Sequence, residues 1–293
     1  MSGCQRIPAA ILMSGSGSNA RKLLEYVPPD RAEAAYQIRL ILSDNPVSNY
    51  RRIAEEHGVS AELNDIYEFF ALPHPPARLS PEDRGKMKDR PRRERFDRRI
   101  DRILRRYGVR LVALAGYDWV VAPFLCSNYV VLNVHPGDLR VRDEAGRRRY
   151  IGLGWIPTAK AILDHRSFVH ATTHLVTAQL DGGPIARVSR AVPIELPQGG
   201  DPASLLPEGA GLKDVMRAVR NGGEPRLAES RLVVHSQEIQ ERLKRLGDWI
   251  EFPRSLDGVA VLMGSHRLSR DAEGGFLLDG EAVQDQFLQQ GEE

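Results

Sequence analysis

The chain has 293 residues, of which 42% are hydrophobic and 27% are charged, a globular composition long enough for one large domain or two modest ones. Its 41 basic and 39 acidic residues leave a formal charge of +2, so the overall charge gives no reason to expect a nucleic acid or a membrane surface as partner. No apolar run approaches the ~20 residues of a membrane-spanning helix, the first residues lack the apolar block of a signal peptide, and Cys4 and Cys126 have neither disulfide-framework nor metal-ligand spacing. A cytoplasmic protein with two inert cysteines is expected.

Short apolar runs alternate with helical stretches along the chain. This pattern predicts an α/β fold, with a doubly wound, mostly parallel sheet, surface insertions, and a C-terminal helix and hairpin. The predicted strands are 8–14, 38–43, 109–115, 129–134 and an adjacent pair at 168–178 and 185–193. The predicted helices are 20–26, 50–57, 92–107 and 229–246, and residues 259–283 are predicted to form the hairpin.

Three stretches interrupt this order. Residues 71–91 are rich in proline and charge, residues 139–149 hold five arginines, and residues 196–228 are rich in glycine, proline and glutamate. All three are predicted to be loops or surface insertions. No linker separates two cores, so a single domain over residues 1–293 is expected.

The first candidate motif is Ser-Gly-Ser-Gly-Ser-Asn at 14–19, between a predicted strand and a predicted helix. Its glycines let backbone N–H groups approach an anion and the helix N-terminus adds partial positive charge, which favours a phosphate cradle. It is neither a Walker loop nor a complete dinucleotide fingerprint. A tight turn capped by Ser18 or Asn19 explains the same residues equally well.

The second and third motifs carry titratable groups. Asn133 and His135 stand at the end of an apolar run and share one face of the strand, where an amide and an imidazole together suit oxyanion stabilisation and proton transfer. A histidine hydrogen-bonded locally at a strand end is the simpler explanation of that spacing. Asp181 lies in Leu-Asp-Gly-Gly-Pro at 180–184, which as a turn need only reverse the chain.

Taken in order, five motifs resemble those of the folate-dependent formyltransferases. They are Ser-Gly-Ser-Gly-Ser-Asn at 14–19, Leu-Ala-Gly-Tyr at 114–117, Leu-Asn-Val-His-Pro at 132–136, Thr-Thr-His-Leu-Val at 172–176 and Leu-Asp-Gly-Gly-Pro at 180–184. Tyr-Ile-Gly-Leu at 150–153 and Phe-Leu-Leu-Asp-Gly at 276–280 also fit. Within this superfamily, the glycine loop and His-Ser-Gln-Glu at 235–238 resemble the phosphoribosylglycinamide formyltransferases.

The resemblance implies a reaction and assigns roles to matching residues. A substrate amine, that of glycinamide ribonucleotide in purine biosynthesis, would attack the formyl carbon of 10-formyltetrahydrofolate, creating an oxyanion and a leaving nitrogen that needs a proton. His135 is implied as the general acid/base, Asn133 as the donor to the formyl oxygen, and Asp181 as the carboxylate that keeps the histidine oriented and basic. No metal is required.

The resemblance also implies the binding residues. Gly17, Ser18 and Asn19 would hold the substrate phosphate, and Gln237 and Glu238 the ribose or amine side. The folate would contact Arg93, Asp118, Trp119, Val120, Val121 and Asn133, although the charged run at 92–97 is by itself typical of a solvated helix. The implied partners are small molecules only, and the sequence sets no oligomeric state.

Three departures from the family pattern concern the site. Asp118 and Trp119 stand where Met-Arg is usual, Gly137 replaces a serine, and Gly-Trp-Ile-Pro at 154–157 lies where a histidine is common. The first and third fall where the folate would sit, so the pterin pocket is expected to be reshaped or the donor changed. The alternatives are a formyltransferase for another amine, such as an amino sugar nucleotide or a specialised metabolite, a silent nucleotide-binding relative, and a hydrolase that releases formate.

Overall fold

A computed structural model describes residues 6–74, 79–196, 200–221 and 223–289. Cys4 and parts of two expected insertions, at 75–78, 197–199 and 222, lie outside the described residues. Within that range the strands are β1 Ile7–Met13, β2 Tyr36–Ser43, β3 Ser60–Leu63, β4 Leu111–Leu114, β5 Val130–His135, β6 Phe168–Val169, β7 Thr172–Leu175, β8 Ile185–Val188, β9 Val192–Pro193, β10 Leu268–Arg270, β11 Phe276–Leu278 and β12 Glu281–Ala282.

The helices of the described chain follow the same order. They are α1 Ser18–Glu25, α2 Tyr50–His57, α3 Ile66–Phe70, α4 Pro81–Met87, α5 Arg90–Arg106, α6 Pro123–Asn128, α7 Ile156–Leu163, α8 Leu212–Asn221, α9 Pro225–Ala228, α10 Arg231–Leu243 and α11 Trp249–Gly264. A short 3₁₀ turn covers Pro202–Leu205, and a π-helical turn at Lys244–Asp248 joins α10 to α11.

The predicted doubly wound sheet is confirmed. Seven strands lie in the order β3-β2-β1-β4-β5-β7-β8, of which the first five are parallel and β7 is antiparallel to both its neighbours. Successive side chains of β1 enter opposite cores: Ile11 packs with α1, α2 and α11, whereas Leu12 packs with α3, α5 and α6. Burial on both faces explains why these strands are continuous apolar runs.

The switch in strand order lies between β1 and β4. The chain moves outward from β1 to β2 and β3 on one side, then returns to β4 and continues to β5 on the other. The backbone N–H of Ser14 donates to the carbonyl of Gly116 at 2.9 Å, which ties the two strand ends together. Open α/β sheets bind ligands in this crevice, at the carboxyl ends of the strands.

The prediction for the C-terminal region was partly wrong. The predicted helix at 229–246 is α10, but the chain then continues through the π turn into α11, so residues 259–264 are helical and the hairpin begins only at β10. Residues 259–264 are apolar and mostly buried, so they lack the one-sided pattern of a surface helix. Gly247 and Pro253 both suggest a helix end, yet the π turn and α11 contain them.

The expected insertions contain more structure than loops. Residues 196–228 include α8 and α9, and Val215 of α8 is buried in a third core with α7 and α10. Residues 71–91 include α4, which begins with a reciprocal cap between Ser80 and Asp83. The amphipathic spacing of α8 and this capping box both predict helices, but composition alone does not reveal them. Among the described helices, none is long and apolar enough to cross a membrane.

Candidate active site

Asn133 and His135 project from the carboxyl end of β5, and the structure brings Asp181 to them. His135 is buried, with 3% of its surface exposed, and its Nδ1 lies 3.7 Å from Oδ2 of Asp181. Asp181 adopts a left-handed backbone conformation with φ 48°, which aspartate tolerates better than most residues. This turn follows the β7 strand and returns the chain to β8.

The tautomer of His135 is set by a backbone carbonyl. Its Nε2 lies 2.7 Å from the carbonyl oxygen of Tyr150, and a carbonyl only accepts hydrogen bonds, so Nε2 carries the hydrogen. In the neutral ring, Nδ1 then carries the lone pair, which faces Asp181. Asp181 was expected to keep this histidine oriented, but at 3.7 Å its carboxylate lies beyond direct hydrogen-bonding distance, and the direct hydrogen bond is made to the Tyr150 carbonyl.

Gly137 makes the Tyr150 contact sterically possible. A Cβ atom at this position would lie 2.5 Å from the Tyr150 oxygen, 2.9 Å from Cβ of Pro157 and 3.0 Å from Nε2 of His135. The departure from serine noted in the sequence therefore has a physical reason in this chain. The glycine leaves room for the carbonyl that fixes the imidazole.

Burial lowers the pKa of His135, against the opposing effects of the Asp181 carboxylate and the Tyr150 hydrogen bond. Asp181 was expected to make this histidine more basic. The carboxylate does raise the pKa of His135, but the net change in the pKa is downward. Desolvation penalises the imidazolium more than the carboxylate stabilises it. A neutral His135 at pH 7, with its lone pair on Nδ1, is the form that accepts a proton.

His174 lies on β7 beside Asn133, and no role for it was expected from the sequence. Its Nδ1 is 3.1 Å from the carbonyl of Leu175, so Nδ1 carries the hydrogen and Nε2 accepts from the Asn133 amide at 3.3 Å. Burial lowers the pKa of His174 to about 4, which keeps Nε2 an acceptor at neutral pH. His174 therefore orients the Asn133 amide, and its place opposite Asn133 in the β5–β7 register was the available signal.

Arg148, from the expected insertion at 139–149, braces the Asp181 turn. Its guanidinium donates to the carbonyl of Asp181 and lies 3.4 Å from the Asp285 carboxylate. The side chain of Arg148 is only 7% exposed. Arg148 therefore packs against the site, whereas residues 142 and 144–147 of the same stretch are exposed.

A narrow cavity of about 160 Å³ opens beside these groups. Asn133, His174 and Asp181 line it on one side. The other walls include four residues predicted to contact the folate: Asp118, Trp119, Val120 and Val121. Val120, Leu153 and Leu180 expose more than half of their surface around it, so the rim is apolar.

Arg93 approaches this cavity from α5 but is engaged by neighbouring side chains. It hydrogen-bonds the Tyr117 hydroxyl at 3.2 Å, lies 3.3 Å from the Asp97 carboxylate, and stacks over the Trp119 ring with its Cζ 5.4 Å from the centroid. Trp155, in the other unusual stretch, is buried in the third core. Of the departures, Asp118 and Trp119 are therefore the residues that line the cavity.

The glycine loop lies on the other side of the switch point. Gly17 caps α1 with φ 75°, and a Cβ there would meet Cδ1 of Ile53 at 2.3 Å and Cε of Met13 at 2.8 Å, so the position requires glycine. Ser18 begins the helix. The Asn19 amide donates to Asp248 at 3.4 Å, which brings the π turn to the loop.

Asp248 is the acidic side chain that the structure places at the glycine loop. It is 5% exposed, burial raises its pKa to about 6, and its Oδ1 has no hydrogen-bond partner among the described residues. Gln237 and Glu238, expected there, lie on the exposed face of α10, where Glu238 pairs with His235 at 3.5 Å. α10 itself packs on α7 and β9.

No group of three or more histidine, cysteine or acidic side chains within the described residues is arranged to hold a metal ion. Cys126 is buried and free, and burial raises its pKa to about 11.

The doubly wound sheet has the fold of phosphoribosylglycinamide formyltransferases of known structure. No family model matches the chain. Over most of its length it superposes on phosphoribosylglycinamide formyltransferases of known structure. That from Coxiella burnetii, solved in complex with CHES, has a TM-score of 0.58 and 18% identity over 94% of this chain and 95% of the other. Glycinamide ribonucleotide transformylase 1 from Symbiobacterium toebii has a TM-score of 0.52 and 22% identity, with the same coverage.

Two curated proteins are similar to this chain in sequence. The chain is 24% identical over 178 residues to phosphoribosylglycinamide formyltransferase of Escherichia coli K12, covering 60% of this chain and 68% of the relative. It is 24% identical over 212 residues to the trifunctional purine biosynthetic protein adenosine-3 of Gallus gallus, covering 69% of this chain and 17% of that protein. The resemblance to the phosphoribosylglycinamide formyltransferases is thereby confirmed.

Proposed function

We propose that the protein transfers the formyl group of 10-formyltetrahydrofolate to the primary amine of glycinamide ribonucleotide, a step of purine biosynthesis. The observation that carries this proposal is the convergence of Asn133, His135 and Asp181 beside one cavity at the sheet's switch point. The similarity to proteins named for this activity supports the same substrate pair.

The acceptor would lie between the glycine loop and the π turn. Backbone N–H groups at the start of α1 suit a phosphate, because the first N–H groups of a helix lack partners within it. Asp248 replaces Glu238 in our proposal as the carboxylate for the ribosyl side. Its unpartnered oxygen is available for a hydroxyl or an amine, and Asn19 holds it in place.

The donor fits the cavity lined by Asp118, Trp119, Val120 and Val121. An indole and two valines offer apolar area to a flat ring, and backbone groups of the same loop offer hydrogen bonds to its polar edge. Asn133 borders both this cavity and the catalytic cluster, so a formyl group between the two ligands would lie near its amide. When bound, the folate supplies the carbonyl carbon that is transferred.

Two groups of the chain would act on the reacting atoms. One amide hydrogen of Asn133 is used by His174, and the second is free to donate to the oxygen on which negative charge develops. His135 would take the proton of the attacking amine at Nδ1 and return one to the leaving nitrogen. The carboxylate of Asp181 stabilises the imidazolium that forms between these two transfers.

A steady-state assay with both substrates tests the proposal, with folate release followed by absorbance and the acceptor product followed by chromatography. We expect the two products to appear in equal amounts. Formate in place of a formylated ribonucleotide would assign the hydrolase alternative. Turnover with the amine of an amino sugar nucleotide, and none with glycinamide ribonucleotide, would assign another acceptor to the same catalytic residues.

A further inference from the structure

The chain after the C-terminal hairpin runs along one edge of the central sheet. β8 is the last strand of that sheet, and the backbone N–H of Gln286 donates to the carbonyl of Ile185 in it at 2.7 Å. The side-chain amide of Gln289 pairs with both backbone groups of Val188, at 3.0 Å each. Residues 285–289, here called the C-terminal strap, therefore cover an edge whose backbone groups would otherwise face solvent.

Asp285, the first residue of the strap, contacts the end of the Asp181 turn. Its Oδ1 accepts from the backbone N–H of Ile185 at 2.9 Å. Ile185 directly follows Pro184, the last residue of the Leu-Asp-Gly-Gly-Pro segment that carries Asp181. Because a charged acceptor makes a stronger hydrogen bond than a neutral one, the carboxylate fixes this end of the turn.

The same carboxylate faces two arginines. Arg142 and Arg148 form an antiparallel bridge, which places them directly opposite each other. The Arg148 guanidinium lies 3.4 Å from Oδ1 of Asp285, and the Arg142 guanidinium lies 3.7 Å from Oδ2. Arg148 also donates to the carbonyl of Asp181. Asp285 and Arg148 together therefore hold both ends of the segment from Asp181 to Ile185.

Arg148 depends on Asp285 because its guanidinium is mostly buried. Its side chain is 7% exposed, and Asp285 carries the one carboxylate within 4 Å of it among the residues that the structure describes. Burial lowers the pKa of Arg148, and the two carboxylates that oppose this effect are those of Asp285 and Asp181. A buried charge without its partner is costly. Without the Asp285 charge, the guanidinium would therefore compete with His135 for the Asp181 carboxylate.

We propose that Asp285 is a positioning residue for the Asp181 turn. By holding Arg148 on the backbone carbonyl of Asp181, it leaves the Asp181 carboxylate to face His135. The inference rests on the proposed function, because it takes His135 and Asp181 to be the pair that moves the proton. The C-terminal strap then serves the catalytic residues as well as covering the edge of the sheet.

The variant Asp285→Asn tests this role with little change in shape. The amide oxygen can still accept from Ile185, whereas the charge that pairs with Arg148 is lost. Asp279→Asn is the matched control, because it removes one carboxylate from the exposed Arg267–Asp279 pair of the C-terminal hairpin. In Asp285→Asn we expect kcat to fall roughly tenfold with both substrate affinities unchanged, since displacing a catalytic group costs rate and not binding. Asp279→Asn should keep the wild-type kcat.

An NMR titration of the His135 ring gives a second measurement, which requires no substrate. Five neighbours act on this ring: the Asp181 carboxylate, the Tyr150 hydrogen bond, the Lys160 and Arg148 charges, and the ring of His174. Burial lowers the pKa of His135, and the two cations lower it as well, whereas the carboxylate and the hydrogen bond raise it. An Arg148 charge that Asp285 no longer balances should lower this pKa further. The acid limb of kcat/KM should move to lower pH with it, in Asp285→Asn and not in Asp279→Asn.

A double-variant cycle shows whether Asp285 acts through Arg148. Arg148→Gln should lower kcat by itself, and adding Asp285→Asn to it should cause little further loss, because the charge to be balanced is already absent. Losses that simply add would mean that Asp285 acts by another route, and would overturn the proposal.

The remaining outcomes separate failure of this inference from failure of the proposed function. Wild-type kcat and an unchanged His135 titration in Asp285→Asn would overturn the positioning role, even if the variant unfolded at lower urea, because the strap would then only cover the sheet edge. If the wild-type protein does not formylate glycinamide ribonucleotide, the proposed function fails. The NMR titration still decides the inference in that case: a shift in Asp285→Asn alone supports it, and equal titrations in both variants overturn it.

Discussion

Substitution of Gly137 by alanine tests how the catalytic imidazole is fixed. The new Cβ would lie 2.5 Å from the Tyr150 carbonyl oxygen, against the ~3.5 Å of an unstrained contact, so the carbonyl must retreat by about 1 Å. The hydrogen bond from Nε2 of His135, now 2.7 Å long, would then be broken. Pro157 blocks relaxation on the other side, since its Cβ would be 2.9 Å away.

Two effects of known size follow from this displacement. Overpacking costs about 1–3 kcal/mol of folding free energy, and a buried N–H left without its acceptor costs about 1–3 kcal/mol unless the ring changes tautomer. In the changed tautomer the hydrogen lies on Nδ1 and the lone pair on the wrong side, so proton transfer falls by a factor of about 10² or more. Gly137→Ser should behave in the same way.

Urea unfolding and steady-state kinetics measure the two effects separately. Gly85→Ala is the control, because a Cβ at Gly85 meets nothing within 4 Å. We expect Gly85→Ala to match the wild type in kcat and Gly137→Ala to lose both stability and kcat. Full activity in Gly137→Ala, with stability within about 0.5 kcal/mol of wild type, would refute the assigned role of the Tyr150 carbonyl.

Asp181→Asn should lower kcat about 10²-fold with an unchanged circular dichroism spectrum, because the imidazolium loses its carboxylate; near wild-type turnover would remove Asp181 from the mechanism. Trp119→Ala should weaken folate binding by roughly 1–3 kcal/mol in calorimetry, and Trp119→Arg should not restore it, because Arg93 already lies over this ring; unchanged binding in Trp119→Ala would show a purely structural role. Asp248→Asn should weaken the ribonucleotide more than the folate, whereas Glu238→Ala should affect neither; the reverse result would reinstate Glu238. Burial raises the pKa of Asp248 to about 6, so the stability that its protonated form contributes is fully present below about pH 4 and is lost as the pH rises through 6. The free energy of unfolding in urea should therefore fall less between pH 4 and pH 7 in Asp248→Asn than in the wild type. An equal fall in both proteins would contradict the assignment.

The features that sequence reasoning anticipated depend on neighbours close in the chain. Burial on both faces of the sheet made β1 and the second half of β2 recognisable as apolar runs, and the strand period put Asn133 and His135 on one face. A glycine loop between a strand and a helix can likewise be recognised from residues that are adjacent in the chain. The fold class follows from such local patterns because each crossover connection has room for a helix.

The features that could not be predicted from the sequence depend on contacts between residues that are far apart in the chain. Asn19 and Asp248 are 229 residues apart, and the Arg148–Asp181 contact spans 33. The π turn that places Asp248 at the loop contains Gly247, a residue that by sequence suggests the end of a helix. His-Ser-Gln-Glu at 235–238 matched a motif, but tertiary packing turned Glu238 to the surface and brought Asp248 to the loop.

The proposed transfer of a formyl group from the folate to the amine of glycinamide ribonucleotide can be followed atom by atom. Its most direct test is a single-turnover reaction with an isotope label on the formyl carbon of 10-formyltetrahydrofolate, analysed by mass spectrometry of both products. We expect the label to move completely to the ribonucleotide amine, and His135→Ala to suppress this transfer while the ribonucleotide still binds. Label recovered as formate, or ribonucleotide bound but never labelled, would contradict it.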